Sequence, residues 1–519
     1  MYKTLGNFSH RIRLLKLLTG QQTSRLETQL LVVSLNSQLP PYEVLSYVWG
    51  QTCDLPGKIM VDGVPLEVTR NLYCALRSLR HNDQPRMLWV DAICINQADI
   101  SERSRQICLM SRIFSQATHR RCCNVNTICN GVLLSDILFA GFWASLYLNH
   151  LSSVLQRQKE GSNLFIPLSH ITALFRGRDS TDPRDKIYAF LGLCRGIETD
   201  WVDYTLSIEA TYEAAARQCI LSSKHLDVLS FCHFYQIATP EIRWPNRNAP
   251  SVHLSSIPSW LPNWTLRYEP RALEKVAFRE AVARDFMGKN WKASGTFCGA
   301  TISDRDPSGC LGVSSHCFDI IAGIGESQSE LHPQLFDALH RWRLLSGVDK
   351  DPMSPFAGNG TRIDAFRRTV CMNLWITSGR FIAANSWRAY SYDTWWFGEV
   401  CKRNGLWRSG SMSAGTSALV RTYQDMLQAC MFGRTFFISE KGYFGLAPST
   451  ARVGDRVCLL AGGRVPYILR DSREVLLPDS GKVRGFSLVG DSYVHGIMGG
   501  EGMADVEEGR ASLERWALV

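Results

Sequence analysis

The stretch LWVDAICINQ, Leu88 to Gln97, constrains this chain more than any other. An apolar run with Val and Ile reads as a buried strand, and it stops abruptly at the amide pair Asn96–Gln97. A helix follows at once: Asp99 and Glu102 have the three-residue spacing of a capping box, and Ile107, Met110, Ile113, Phe114 and Ala117 fall on one face as far as Ala117. A strand passing straight into a helix N-terminus belongs to an α/β fold, and its carboxyl end is where such folds place binding groups.

The flanking sequence extends this reading. RIRLLKLL and TQLLVVSL are expected to be strands, as is YEVLSYVWG, Tyr42 to Gly50. KIMVDGVPLEVT reads as a hairpin turning at Asp62–Gly63, and Thr69 should cap a helix to Arg80 with Leu72, Leu76 and Leu79 inward. The runs Tyr42–Gly50 and Leu88–Ile95 should be neighbours in one sheet, with Asn96–Gln97 at its carboxyl edge beside Glu102.

Beyond about Gly161 the pattern turns helical, with Pro183 at a helix start inside DSTDPRDKIYAFLGL. Gly295 to Gly325 is again strand-like, and SGSMSAGTS, Ser409 to Ser417, reads as a linker. The crowded short β patterns after it, with glycine turns, suggest a small barrel. The domains expected are 42–190, a helical or mixed middle 191–408, and a β-rich module 418–505.

Composition excludes several classes. The chain has 519 residues, 57 basic and 48 acidic, with the charges interspersed, so no basic stripe argues for nucleic acid. Its 17 cysteines have no CxxC pair, and the cluster His119, Cys122, Cys123, Cys129 lacks the paired spacing of a zinc site. No metal is expected, and scattered reduced cysteines fit a cytoplasmic protein. Gly131–Leu148 is near spanning length but carries Asp136, so a buried helix is expected rather than a membrane span. There is no phosphate-binding GxxxxGK[ST] loop and no repeat array.

Three blocks carry a resemblance. Tyr42, Leu45, Ser46, Tyr47, Trp49 and Gly50 stand in one; Trp89, Val90, Asp91, Cys94, Ile95 and Gln97 in the next; Glu102, Arg103, Gln106 and Met110 in the third. In this order they resemble the HET (heterokaryon incompatibility) family of filamentous fungi, and FFISEKGYFGLAP, GDRVCLL and YVHGIMGGE resemble the C-terminal part of many members. One departure stands out: after the third block the family continues with a hydrophobic strand, whereas this chain reads THRRCCNVNTICNGVLL. Thr118–Gly131 is therefore expected to be irregular, through a gene-model error or a real lesion of the domain.

The resemblance implies fungal non-self recognition that triggers cell death. HET domains have been likened to TIR domains, some of which cleave the glycosidic bond of NAD, so a TIR-like α/β domain with NAD as substrate and no cofactor is one expectation. A carboxylate near the ribose would stabilise the oxocarbenium-like transition state. Glu102 is the first candidate and Asp91 its partner, with Ser46, Tyr47, Trp49, Gly50, Asn96 and Gln97 shaping the pocket. Against this, Glu102 sits where a capping-box glutamate sits, and Asp91 could be a buried acid bonded to backbone amides. Trp49 and Trp89 read as core aromatics. The other expectation is a non-catalytic module that signals by self-association or through an unknown protein partner, or an inactive relic.

Overall fold

The computed structural model describes residues 2–5, 10–21, 23–47, 56–123, 167–174, 180, 182–191, 194, 197, 200–232, 257–265, 291–326, 335–377, 380–383, 387–404 and 414–519. The chain divides into two compact units, one of residues 1–166 and 187–211, the other of 167–186 and 212–519.

The first unit is built on a seven-stranded mixed sheet. Its strands are β1 (Arg11–Leu17), β2 (Glu27–Ser34), β3 (Glu43–Tyr47), β4 (Gly57–Val61), β5 (Val64–Val68), β6 (Arg86–Trp89) and β7 (His119–Cys123), in the order β5-β4-β2-β1-β6-β3-β7. β1 is central: Ile12, Arg13, Leu14 and Leu15 are buried in succession, because side chains on both faces of an inner strand meet packed layers. It runs antiparallel to both β2 and β6, whereas β3 lies parallel to β6 and to β7. The sheet is therefore mixed around an antiparallel centre.

The β4–β5 hairpin turns at Asp62 and Gly63, with φ of 50° and 80°, the double left-handed geometry that an Asp-Gly pair tolerates. Helix α1 (Arg70–Leu79) is capped by the Thr69 side chain, which accepts from the Leu72 N–H, and it buries Leu72, Ala75, Leu76 and Leu79.

Two expectations change. LWVDAICI is not one strand: β6 ends at Trp89, and Asp91–Cys94 forms a single helical turn, α2, before α3 (Ile100–Gln116). Four residues, three of them apolar, do not separate a strand from a helical turn by periodicity. The segment after α3 is not irregular throughout. His119–Cys123 forms β7 and pairs with all five residues of β3, Glu43 with His119 through Tyr47 with Cys123. An outermost strand is paired on one side only and can form without an apolar pattern. Residues 124–131, like Trp49, Gly50, Cys129 and the apolar stretch 131–148, lie outside the described residues. Among the described residues no helix is long and apolar enough to cross a membrane.

The second unit carries β8 (Leu311–Ile324), a hairpin of β9 (Leu374–Thr377) and β10 (Arg380–Ala383), β11 (Arg434–Ser439), β12 (Phe444–Pro448), β13 (Arg456–Leu460), β14 (Tyr467–Asp471), a hairpin of β15 (Val475–Leu477) and β16 (Gly481–Val483), β17 (Gly485–Asp491), β18 (Tyr493–Val494) and β19 (Glu514–Leu518). The pairings β13–β14, β14–β17, β17–β19, β19–β8 and β8–β13 close on themselves as a ring of five strands, and β8 runs on to pair with β11, which pairs with β12. Phe318, Ile321, Val457, Leu459, Ile468 and Val489 belong to its core. The ring takes β8 from before residue 418 and β19 from beyond 505, so the expected limits of the β-rich module are too narrow. The expected linker is also shorter, since Ala414–Met431 is a helix.

Candidate functional site

The carboxyl ends of β3, β6 and β7 meet at one edge of the first sheet, fixed by the registers Val44–Trp89 and Tyr47–Cys123. This bears out β3 and β6 as neighbours. The backbones of Ser46 and Tyr47 lie at this edge on β3. Past β6 the chain makes the turn of α2, and Asp91 opens it. Asp91 is half-buried; its Oδ1 accepts from the Ala92 N–H at 2.7 Å, and Gln97 Nε2 donates to its carbonyl at 3.0 Å. The Asn96 side chain accepts from Ala98 N–H at 3.3 Å, and its carbonyl accepts from Asp99 N–H at 3.1 Å. The two amides thus brace their own turn.

Asp99 caps α3 as its spacing predicts, accepting from Glu102 N–H at 2.9 Å. Glu102 does not reciprocate as in a capping box. It turns inward, only 3% exposed, and meets Arg13 on the central strand, 1% exposed. Arg13 Nη1 donates to Oε1 at 2.5 Å and Nη2 to Oε2 at 2.9 Å, a two-pronged pair, and Asn96 N–H adds a third bond to Oε1 at 2.7 Å. Arg13 also donates to the carbonyls of Cys94, at 3.2 Å, and Lys3, at 2.7 Å. Removing one partner from a buried pair of this kind typically costs ~3–5 kcal/mol, because the other charge is left without compensation.

The chemical consequence is direct. Glu102 joins the start of α3 to β1 and fixes the Asn96 turn, and to meet a ribose it would first have to release Arg13. Asp91 is the more accessible of the two expected acids. Cys94 is a core thiol: it accepts from Val90 N–H at 3.4 Å, and burial pushes its pKa up to about 12. Trp89 is a core aromatic as expected, edge-on to Phe114 with ring centroids 6.0 Å apart.

Two anchors escaped the sequence reading. Arg13 stands between Ile12 and Leu14 in RIRLLKLL, and a charge inside a doubly covered strand calls for an acid; that was its signal. Tyr42, matched in the family block but given no role, is buried and donates its hydroxyl to the Ile113 carbonyl at 2.6 Å, tying β3's approach to α3. Burial pushes its phenol up to about 12. The buried stripe of α3 is Glu102, Gln106, Leu109 and Ile113, two polar residues at its start, because Gln106 Nε2 donates to the Arg11 carbonyl at 2.8 Å.

Residues 42–129, which hold these strands and the turn, match the model of the heterokaryon incompatibility protein (HET) family, and residues 407–512 match that of the Het-6 beta-barrel domain. The chain carries a HET domain and a Het-6 barrel domain. It is 42% identical over 90 residues to heterokaryon incompatibility protein 6, OR allele, of Neurospora crassa; the match covers 15% of this chain and 13% of that protein. No solved structure matches the chain. The HET match begins at Tyr42, so β1 and β2, including the Arg13 that neutralises Glu102, lie outside the matched block while forming the middle of its sheet.

Proposed function

We propose that this HET-domain protein acts in fungal heterokaryon incompatibility, in the cytoplasm, and that its HET region signals cell death by engaging a partner protein or a second copy of itself rather than by catalysis at Glu102. The observation that carries the second half is the enclosed Arg13–Glu102 pair, which uses both carboxylate oxygens for architecture. The similarity to an incompatibility protein and the two family matches support the first half.

A TIR-like cleavage of NAD is the second reading, and it moves to Asp91. That carboxylate is half-buried beside the shared end of three parallel strands, in the first turn after β6. There an ionised acid could face an oxocarbenium-like ribose. The deciding experiment expresses wild type, Asp91→Asn and Glu102→Gln in a fungal host, scoring growth and cellular NAD. The signalling reading expects growth arrest without NAD loss and survival of arrest in Asp91→Asn. NAD loss abolished by Asp91→Asn at an unchanged melting temperature would replace it with the enzymatic one.

A further inference from the structure

The second unit holds a pair of thiols that the HET reading does not use. Cys317 on β8 and Cys458 on β13 are register partners across the pairing that closes the five-stranded ring. Residues directly opposite on antiparallel strands have Cα atoms roughly 4.5–5.5 Å apart, inside the span a disulfide bridges. Both thiols are free, and the Cys317 thiol lies 3.7 Å from the Asp319 carbonyl. They differ in access, for Cys458 is fully buried and Cys317 half-buried.

Three features distinguish Cys317. The β8–β13 register slips between Val457 and Cys458, a bulge beside the pair that re-aims side chains locally. Arg456, two residues before Cys458 on β13, places Nη1 3.9 Å from Cys317 Sγ, while its Nε binds Asp471 Oδ1 at 3.1 Å. A thiol donor and a guanidinium beside one sulfur favour its anion. Accordingly the Cys317 thiol is pulled down to about 6, first by the neighbouring Cys458 thiol and then by Arg456, while Cys458 is pushed well up by burial. One partner is set as nucleophile and the other as protonated resolving thiol.

We propose that Cys317 and Cys458 form a peroxide-sensitive dithiol that oxidises to a disulfide across the ring closure. The Cys317 thiolate attacks a hydroperoxide: the S–O bond forms, the O–O bond breaks, and the leaving oxygen takes a proton to depart as water or alcohol. Cys458 then attacks the Cys317 sulfenic sulfur: the S–S bond forms, the S–O bond breaks, and hydroxide leaves with the Cys458 proton as water. Two thiols are oxidised and one peroxide is reduced, and a thiol reductant reverses the change. The product adds a covalent link to the backbone ladder that joins β8 to β13.

The test uses the full-length protein, limiting hydrogen peroxide at neutral pH, and mass spectrometry of a non-reducing digest. The expected result is one cross-linked peptide joining Cys317 to Cys458, formed roughly tenfold faster than oxidation of the exposed Cys74 and Cys298, as thiolate character dictates. Cys458→Ala should lose the cross-link and accumulate Cys317 sulfenic acid, trapped with dimedone; Cys317→Ser should lose both. Should the wild-type protein oxidise first at Cys74 or Cys298, or join Cys317 to any other thiol, the proposal fails; that arm needs no variant to fold.

Discussion

Each unit buries an arginine against a carboxylate, in different settings. In the open sheet, Arg13 grips both oxygens of Glu102 and thereby holds a turn and a helix start to the central strand. In the β-rich unit, Arg434 on β11 divides its donors: Nη2 reaches Asp491 Oδ1 at 2.6 Å, and Nη1 the carbonyls of Asp491 at 2.6 Å and Leu446 at 3.3 Å. The Leu446 bond runs along the β11–β12 ladder, which exists without it, whereas the Asp491 bonds join β11 to β17, strands that no ladder pairs. Arg13 supplies a connection that the backbone does not make, because the Asn96 turn has no ladder of its own. Side-chain charge thus holds a turn at the sheet's carboxyl edge, and in the β-rich unit ties to the ring a strand that is already paired on both sides.

The strongest way to break this contrast is to start the chain at Tyr42. The HET-matched block would then lack β1, β2 and Arg13, and no cooperative unfolding transition should remain for the first unit; a native-like urea transition would show that the block folds alone. Next in size, Arg13→Met should cost ~3–5 kcal/mol in urea unfolding by stranding Glu102, and the double variant Arg13→Met/Glu102→Leu should regain most of it. Arg434→Met should cost less, about 2–3 kcal/mol, since ladder bonds persist around it. Equal losses for the two arginines would erase the distinction. Hydrogen exchange sharpens it: in Arg13→Met the amides of residues 95–103 should open first.

Smaller effects follow. Tyr42→Phe leaves the Ile113 carbonyl without its partner and should cost ~1–2 kcal/mol. A pH effect is confined to the ring. Cys317 is held at about 6 against an ordinary 9, through Cys458 and Arg456 and against the opposing charge of Asp319. A depressed thiol binds fewer protons folded than unfolded, so its contribution is full above about 9 and is lost as pH falls through about 6. Between these limits wild type should gain stability with rising pH relative to Cys317→Ser, read from urea midpoints; parallel profiles would remove Cys317 from the account.

Much of the first sheet was legible because its strands are apolar runs of sufficient length and its hairpin has a turn pair of one conformation. Three things were not. The α2 turn hides inside LWVDAICI, where four residues hold no readable period. β7 hides in HRRCC, because pairing along one side of β3 asks nothing of side-chain polarity. The Arg13–Glu102 pair joins residues 89 positions apart, and no local pattern records that separation. At the site the same limit applied: the positions around Asn96 and Gln97 were found from the strand end, but what occupied Glu102 depended on a strand the motif does not include. In the second unit the short strands were visible and their closure was not, since β8 and β19 lie outside the span where the β pattern is dense.

The order in which β8 acquires partners bears on how this protein is made. Its fourteen residues leave the ribosome long before β11, β13 and β19, the strands that cover it, which begin at Arg434 and run to Leu518. Until then Val313, Phe318 and Ile321 have no sheet to enter. Contacts so distant along the chain make for slow folding, and a nascent strand left waiting is open to pairing with its copies on neighbouring ribosomes. Yield of this unit should therefore respond to chaperone supply and translation speed more than to the stability of the finished ring.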